Sequence, residues 1–140
     1  MTIVKHILAL ALAAAMLFMG LQKFGAENFI FQTIAQKSGL SIFEPVFRMF
    51  SGVVEILAGL LMFLPRTRGA GALLSTGVVA GAVVFHLSPW LGTKLPMEAG
   101  GEASYTLFTM AVVFLVLALV NLFLNRHTLP IVGSRFSAKQ

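Results

Sequence analysis

The sequence predicts an all-α membrane protein, a four-transmembrane-helix bundle with a short amphipathic segment between its first and second spans. Composition is the first reason: 58% of the 140 residues are hydrophobic, 11% are charged, and mean hydropathy is +0.92. A soluble domain of this size has no interior large enough for so much apolar surface, so its solvent is largely lipid. The second reason is that this surface falls into four long runs, 3–22, 42–64, 70–87 and 105–124. Each approaches the ~20 residues that a spanning helix needs at about 1.5 Å per residue. The third is their uniformity. Barrel strands are shorter and alternate, whereas helices satisfy every backbone group within lipid. The length suits a single four-helix membrane domain.

The first run follows Lys5, as the apolar part of a signal peptide follows a positive charge. It closes on Gly20-Leu21-Gln22-Lys23-Phe24 without a small-x-small cleavage site, and reads as a retained span. Between 24 and 40, Phe29, Ile30, Phe31 and Ile34 alternate with Gln32, Thr33, Gln36 and Lys37, and Ser38-Gly39 supplies a stop. That pattern predicts a short amphipathic helix, lying at the outer interface or folding over the bundle as a lid. The interfacial reading is the simpler one. Ser41-Ile42-Phe43-Glu44 has capping-box spacing, with Pro45 in the first turn of the second span. Pro65-Arg66-Thr67-Arg68-Gly69 is a tight polar turn that makes the second and third spans an antiparallel hairpin. Ser88-Pro89 ends the third span, and Pro96 with Gly100-Gly101 marks a longer loop before the fourth.

Four spans place both termini and the 65–69 turn on one side. That side holds Lys5, Arg66, Arg68, Arg126, Arg135 and Lys139 and no carboxylate side chain. The other holds Lys23, Lys37, Arg48 and Lys94 with Glu27, Glu44, Glu98 and Glu102. The positive-inside bias therefore predicts cytoplasmic termini. A net charge of +5 fits this topology and anionic headgroups better than nucleic acid, for which no base-reading module is visible. With no cysteine, thiol redox chemistry, disulfides and thiolate metal sites are excluded.

Glu55 stands out inside the second span. A charge at the bilayer centre costs at least about 2.5–3.5 kcal/mol. It lies nine residues before Leu64, about 13–14 Å from the inner end of its helix. Arg48, Gly52, Glu55, Gly59 and Met62 follow helix-packing steps along one face, with glycines where a neighbour can approach closely. On the third span Ser75, Val79, Ala82 and His86 share a face, and Gly77 and Gly81 form a GxxxG pair on another. Lys23 at the outer end of the first span, and Tyr105 at the start of the fourth, reach the same level. The expected site faces outward, with Lys23, Arg48 and His86 as a basic ring, Glu55 as its floor and Tyr105 beside it. Snorkelling for Lys23 and Arg48, a core role for His86 and an interfacial anchor for Tyr105 and Trp90 are the plainer readings. Arg48 is two turns from Glu55, so a protonated Glu55 held by a hydroxyl or backbone carbonyl rivals a direct Arg48 ion pair.

A lone His with a lone Glu makes a poor metal site, so no metal is expected. No G-x-S-x-G, HExxH or phosphate loop occurs. The chemistry left is binding an anion or a quinone-like headgroup, relaying a proton, or organising a partner.

At these residues the chain resembles the DoxX-like family of small bacterial membrane proteins. The resemblance runs through Gly20-Leu21-Gln22-Lys23-Phe24, Phe47-Arg48, Glu55-Ile56-Leu57-Ala58-Gly59-Leu60-Leu61, Pro65-Arg66-Thr67-Arg68 and Phe85-His86-Leu87, in that order, over most of the chain. It implies a compact bundle in the bacterial cytoplasmic (inner) membrane. Some relatives are subunits of thiosulfate:quinone oxidoreductase, and others accompany redox or oxidative-stress systems. The resemblance carries Lys23, Arg48, Glu55 and His86 over as site residues, but not catalysis: at most, the chain would be a subunit of a quinone-linked oxidoreductase. The expected function is thus a redox-associated membrane subunit or accessory protein binding a quinone-like or small anionic ligand. The alternatives are a small-solute or ion transporter or channel, with Glu55 and the basic ring setting selectivity, and an assembly scaffold. Expected partners are the lipid bilayer, a redox partner protein and further copies of the chain, with no nucleic acid.

Overall fold

A computed structural model describes residues 2–137; Lys139, counted above among the basic residues, lies outside the described residues. Five α-helices form: α1 (Thr2–Gln22), α2 (Phe29–Ser38), α3 (Val46–Phe63), α4 (Arg68–Leu87) and α5 (Thr106–Leu124). All except α2 are long and apolar enough to cross a membrane. The chain is an all-α four-helix membrane protein.

The four long helices close a ring in which α1 packs on α3, α3 on α4, α4 on α5 and α5 back on α1. Lipid is as apolar as leucine, so close packing rather than hydrophobic exclusion must hold such helices together. The residue distribution follows this rule. The core is built from small and flexible side chains, Ala9, Leu12, Ala13, Met16, Ala58, Met62, Ala72, Val79 and Ala118. Large apolar residues such as Phe18, Phe50, Leu60, Val84, Val113 and Phe123 face outward. The expected stripe on α3 is buried at every position, from Arg48 through Gly52, Glu55 and Gly59 to Met62. A Cβ on Gly59 would come within 2.8 Å of Leu17 Cγ and 3.0 Å of the Ala13 carbonyl oxygen, so glycine sets the α1–α3 separation there. Gly71 does the same for α4 against α3, at 2.8 Å from the Ala58 oxygen.

Several details depart from expectation. The capping box does not form: Ser41–Phe43 is a 3-10 turn, α3 begins at Val46, and Pro45 occupies the N-cap position without a side-chain cap. Glu44 turns to Arg48 instead of back to Ser41, because a buried guanidinium outweighs an amide as a partner. The 3-10 turn and α3 together still make one apolar span, Ser41–Phe63. α4 starts two residues before the expected boundary, at Arg68, since Thr67 Oγ1 binds the Leu61 and Leu64 oxygens and tightens the turn. Ala82 is exposed although Ser75, Val79 and His86 are buried. Among the described residues, nothing outside their own helix lies within 4 Å of a Cβ placed on Gly77 or Gly81, so this GxxxG packs against none of them.

The helix α2 is set by its caps. Asn28 Oδ1 accepts from the Ile30 and Phe31 amides, and Gly39 ends the helix at φ +73°. Its buried Ile34 packs with Leu91 and Leu95, flanked by Ile30, Phe43, Phe85, Trp90 and Leu107. Its apolar face thus lies against the loop after α4 and the neighbouring ends of α4 and α5. The loop after α4 contains a small antiparallel hairpin, β1 (Leu95–Pro96) with β2 (Ala103–Ser104).

Candidate functional site: a buried Lys23–Glu55 pair

The site grows from two glycines. Gly20 precedes Lys23 by one helical turn, and Gly52 precedes Glu55 by one turn. A Cβ on Gly20 would sit 2.9 Å from the Gly52 oxygen and 3.1 Å from Glu55 Cβ; one on Gly52 would sit 3.0 Å from Lys23 Cβ and 3.1 Å from the Gly20 oxygen. Because neither has a side chain, α1 and α3 approach backbone to backbone at this level. The next turn of each helix then presents its polar residue across a short gap. Lys23 Nζ donates to both Glu55 carboxylate oxygens, at 2.9 and 2.7 Å. The side chains are 15% and 6% exposed. Thus Lys23, expected in the rim, descends to the floor and meets Glu55, and Arg48 does not.

Arg48 has its own partners. Its Nε lies 2.8 and 2.9 Å from the Glu44 oxygens, and Nη2 lies 2.8 Å from Oε1. Nη1 donates to the Lys23 and Gly25 carbonyls. Both carbonyls lie just beyond the last residue of α1, where a cation satisfies backbone acceptors of the exit turn and complements the helix dipole. Arg48 therefore holds the backbone that carries Lys23, and two ion pairs, Glu44–Arg48 and Lys23–Glu55, are joined through one carbonyl.

Beside this network lies a cluster of rings. Phe31 of α2 stands over Lys23, with Nζ 6.0 Å from its centroid. Phe31 packs on Phe47 at 6.3 Å, Phe47 on Phe43 at 5.5 Å, and Phe43 on Phe85 at 5.5 Å and Trp90 at 6.0 Å. On the other side of Glu44, an open cleft of about 520 Å³ is lined by Gln32, Ala35, Gln36, Gly39, Ser41 and Glu44. Glu44 joins this cleft to the buried network.

The remaining expected residues stand apart. His86 is buried, its Nδ1 donating to the Gly92 oxygen at 2.9 Å, with its ring 5.8 Å from that of Phe108. Its bond holds the loop that follows α4. Tyr105 is 55% exposed, with the Lys94 ammonium 5.0 Å from its ring centroid, a surface arrangement suited to an interface. Among the described residues, no three His, Asp or Glu side chains are grouped to hold a metal ion.

The sequence reading missed three buried polar features at the opposite end of the bundle. Arg68 is 3% exposed, and Asn121 and Asn125 are fully or almost fully buried. Asn121 Nδ2 ties α5 to α1 through the Leu8 oxygen at 3.2 Å. An asparagine inside an apolar run carries that signal, because a polar amide in lipid needs an interhelical partner. The signal for the Lys23–Glu55 pair was the matched Gly-x-x-Lys and Gly-x-x-Glu spacing on two helices.

No protein-family model, no curated protein and no solved structure matches the chain.

Proposed function

We propose that this protein is a redox-associated subunit or accessory protein of the bacterial inner membrane, and that it binds a quinone-like or small anionic headgroup at the Lys23–Glu55 pair. The observation that carries the reading is the pair itself, a partly buried ammonium on a buried carboxylate of a spanning helix, beside an aromatic cluster. Lys23 is the donor that a quinone carbonyl or an anion would recruit. Glu55 is the group that would release it, and the rings from Phe31 to Trp90 offer a flat aromatic guest a stacking surface. The α2 cover and the cleft at Glu44 support entry from the outer side. The resemblance to DoxX-like proteins points the same way. The basic residues gathered at the terminal side support cytoplasmic termini.

Trp90 is the only tryptophan, which makes the test direct. Titrating a short-chain quinone into the purified protein should quench its fluorescence saturably, and Glu55→Gln should weaken that quenching by about tenfold, the equivalent of one charge-assisted contact. Unchanged quenching in the variant would sink the reading.

A second reading has its own support: every charge in the network is satisfied internally, as structural glue requires. On that reading, Glu55→Gln lowers thermal stability and recovery of partner protein while leaving quinone titrations unaltered.

A further inference from the structure

The opposite end of the bundle poses an electrostatic problem that the ion pairs do not solve. Arg68 is the first residue of α4 and is 3% exposed. Its Nε donates to the Met62 oxygen at 2.9 Å. Among the described residues its two terminal nitrogens have no hydrogen-bond partner, and no carboxylate lies within ion-pair distance. Guanidinium is charged at every accessible pH, so it cannot escape this cost by losing a proton. Its neighbours make matters worse. It sits at the positive end of the α4 dipole, and Thr67, which could cap that end, spends its hydroxyl on the preceding carbonyls. Lys5 of α1 lies close enough for the two charges to repel. His127 stands near Lys5 and Arg126, in the 3-10 turn Arg126–Thr128 that Thr128 pins to the Gly69 amide at 2.8 Å. All five glutamates of the sequence belong to the middle or the far end of the bundle. Lys5 and the Arg126–Thr128 turn thus stand beside a buried arginine whose remaining donors are unused, and neither brings a carboxylate.

We propose that Arg68 and Lys5 form a binding site for a phosphate oxyanion, presented by an anionic lipid headgroup at this end of the bundle. A guanidinium fork with two free nitrogens matches two oxygens of a phosphate, and Lys5 adds a point charge from α1, across the bundle. The terminal nitrogens are not sealed, since the fully enclosed side-chain atoms without partners are Asn121 Oδ1 and Asn125 Oδ1. The site lies where headgroups lie, at the mouth of a spanning helix. His127 provides an independent reporter. Burial first, and then the charges of Lys5 and Arg126, hold its imidazole below the usual histidine range, and a bound anion would reverse the second effect.

The experiment compares lipid retention by native mass spectrometry for wild type, Arg68→Gln, Lys5→Gln and Arg66→Gln, each carried through phosphatidylglycerol or phosphatidylcholine nanodiscs. Arg66 is exposed in the same turn and controls for bulk charge. Wild type should retain phosphatidylglycerol over phosphatidylcholine. Arg68→Gln and Lys5→Gln should each lose about fivefold or more of that preference, the equivalent of one cation near a charged surface, and Arg66→Gln should lose little. If Arg68→Gln fails to fold, Lys5→Gln decides alone. Equal losses in Lys5→Gln and Arg66→Gln, or no preference in wild type, overturn the site. Inorganic phosphate at millimolar concentration should fail to displace the lipid; displacement would assign the oxyanion site to free phosphate. In the same samples, phosphatidylglycerol should raise the His127 pKa seen by NMR in wild type but not in Lys5→Gln.

Discussion

At the residue scale the decisive fact is which cation meets Glu55. A buried ion pair gains little over a well-packed apolar pair, but breaking one partner strands the other. Lys23→Met should therefore destabilise the protein by about 3–5 kcal/mol. Lys23→Met combined with Glu55→Leu should regain most of that loss. Thermal unfolding in detergent compares the two, and failure of the double variant to recover would mean the pair is needed for the fold itself. A recovered double variant that no longer binds a quinone would separate function from stability. Arg48 is held by a different rule. Its three nitrogens serve a carboxylate and the two carbonyls beyond α1 at once, a spread that a single ammonium nitrogen cannot span. Arg48→Lys should cost about 1–3 kcal/mol despite keeping the charge, and the same unfolding assay should place it between wild type and Lys23→Met.

The element scale is governed by how closely α1 and α3 approach. A Cβ on Gly52 would lie 2.9 Å from Phe24 Cε2, 3.0 Å from Lys23 Cβ and 3.1 Å from a backbone oxygen, so little can yield. Gly52→Ala should lower stability by about 1–3 kcal/mol through overpacking, and should weaken the pair one turn away by forcing the helices apart. Gly77→Ala is the matching control. Its site is open on the bundle's outer face, so the gain in helix propensity over glycine, about 0.8–1.0 kcal/mol, should leave it neutral or stabilising in a monomer. Lost stability in Gly77→Ala would show that something packs there. The turn at His127 adds a pH dependence. Its folded pKa lies below the unfolded value near 6.5, so the unfolded chain takes up the proton more readily. Stability should be full above that value and fall as pH drops below it, and His127→Gln should flatten the slope in that window.

Over the whole molecule, charge and apolar surface are sorted along one axis. Lys5, Arg66, Arg68, Arg126 and Arg135 gather at the terminal end, while the glutamates other than Glu55 sit with α2 and the hairpin loop at the other. The proposed orientation can be checked cleanly, because the chain has no cysteine. A single cysteine replacing Thr67 should be shielded from a membrane-impermeant thiol reagent in intact inner-membrane cells, whereas one replacing Gly101 should react. The reverse pattern would invert the topology and move the Glu44 cleft to the cytoplasmic side.

Hydropathy and punctuation alone determined four spans, a short amphipathic helix stopped at Ser38-Gly39 between the first two, and a hairpin at 65–69. These properties are local: run length, a glycine stop and a polar turn are written in adjacent residues. The stripe from Arg48 to Met62 was also legible, because helical periodicity fixes which side chains share a face. Only the tertiary structure decided that Lys23 meets Glu55, that Arg48 is taken by Glu44 and the end of α1, and that His86 serves its own loop. A flexible lysine has many rotamers, and its partner is set by the distance between two helices. That distance depends on Gly20 lying against Gly52; the matched Gly-x-x-Lys and Gly-x-x-Glu spacings are legible, but nothing local decides which two glycines 32 residues apart will meet.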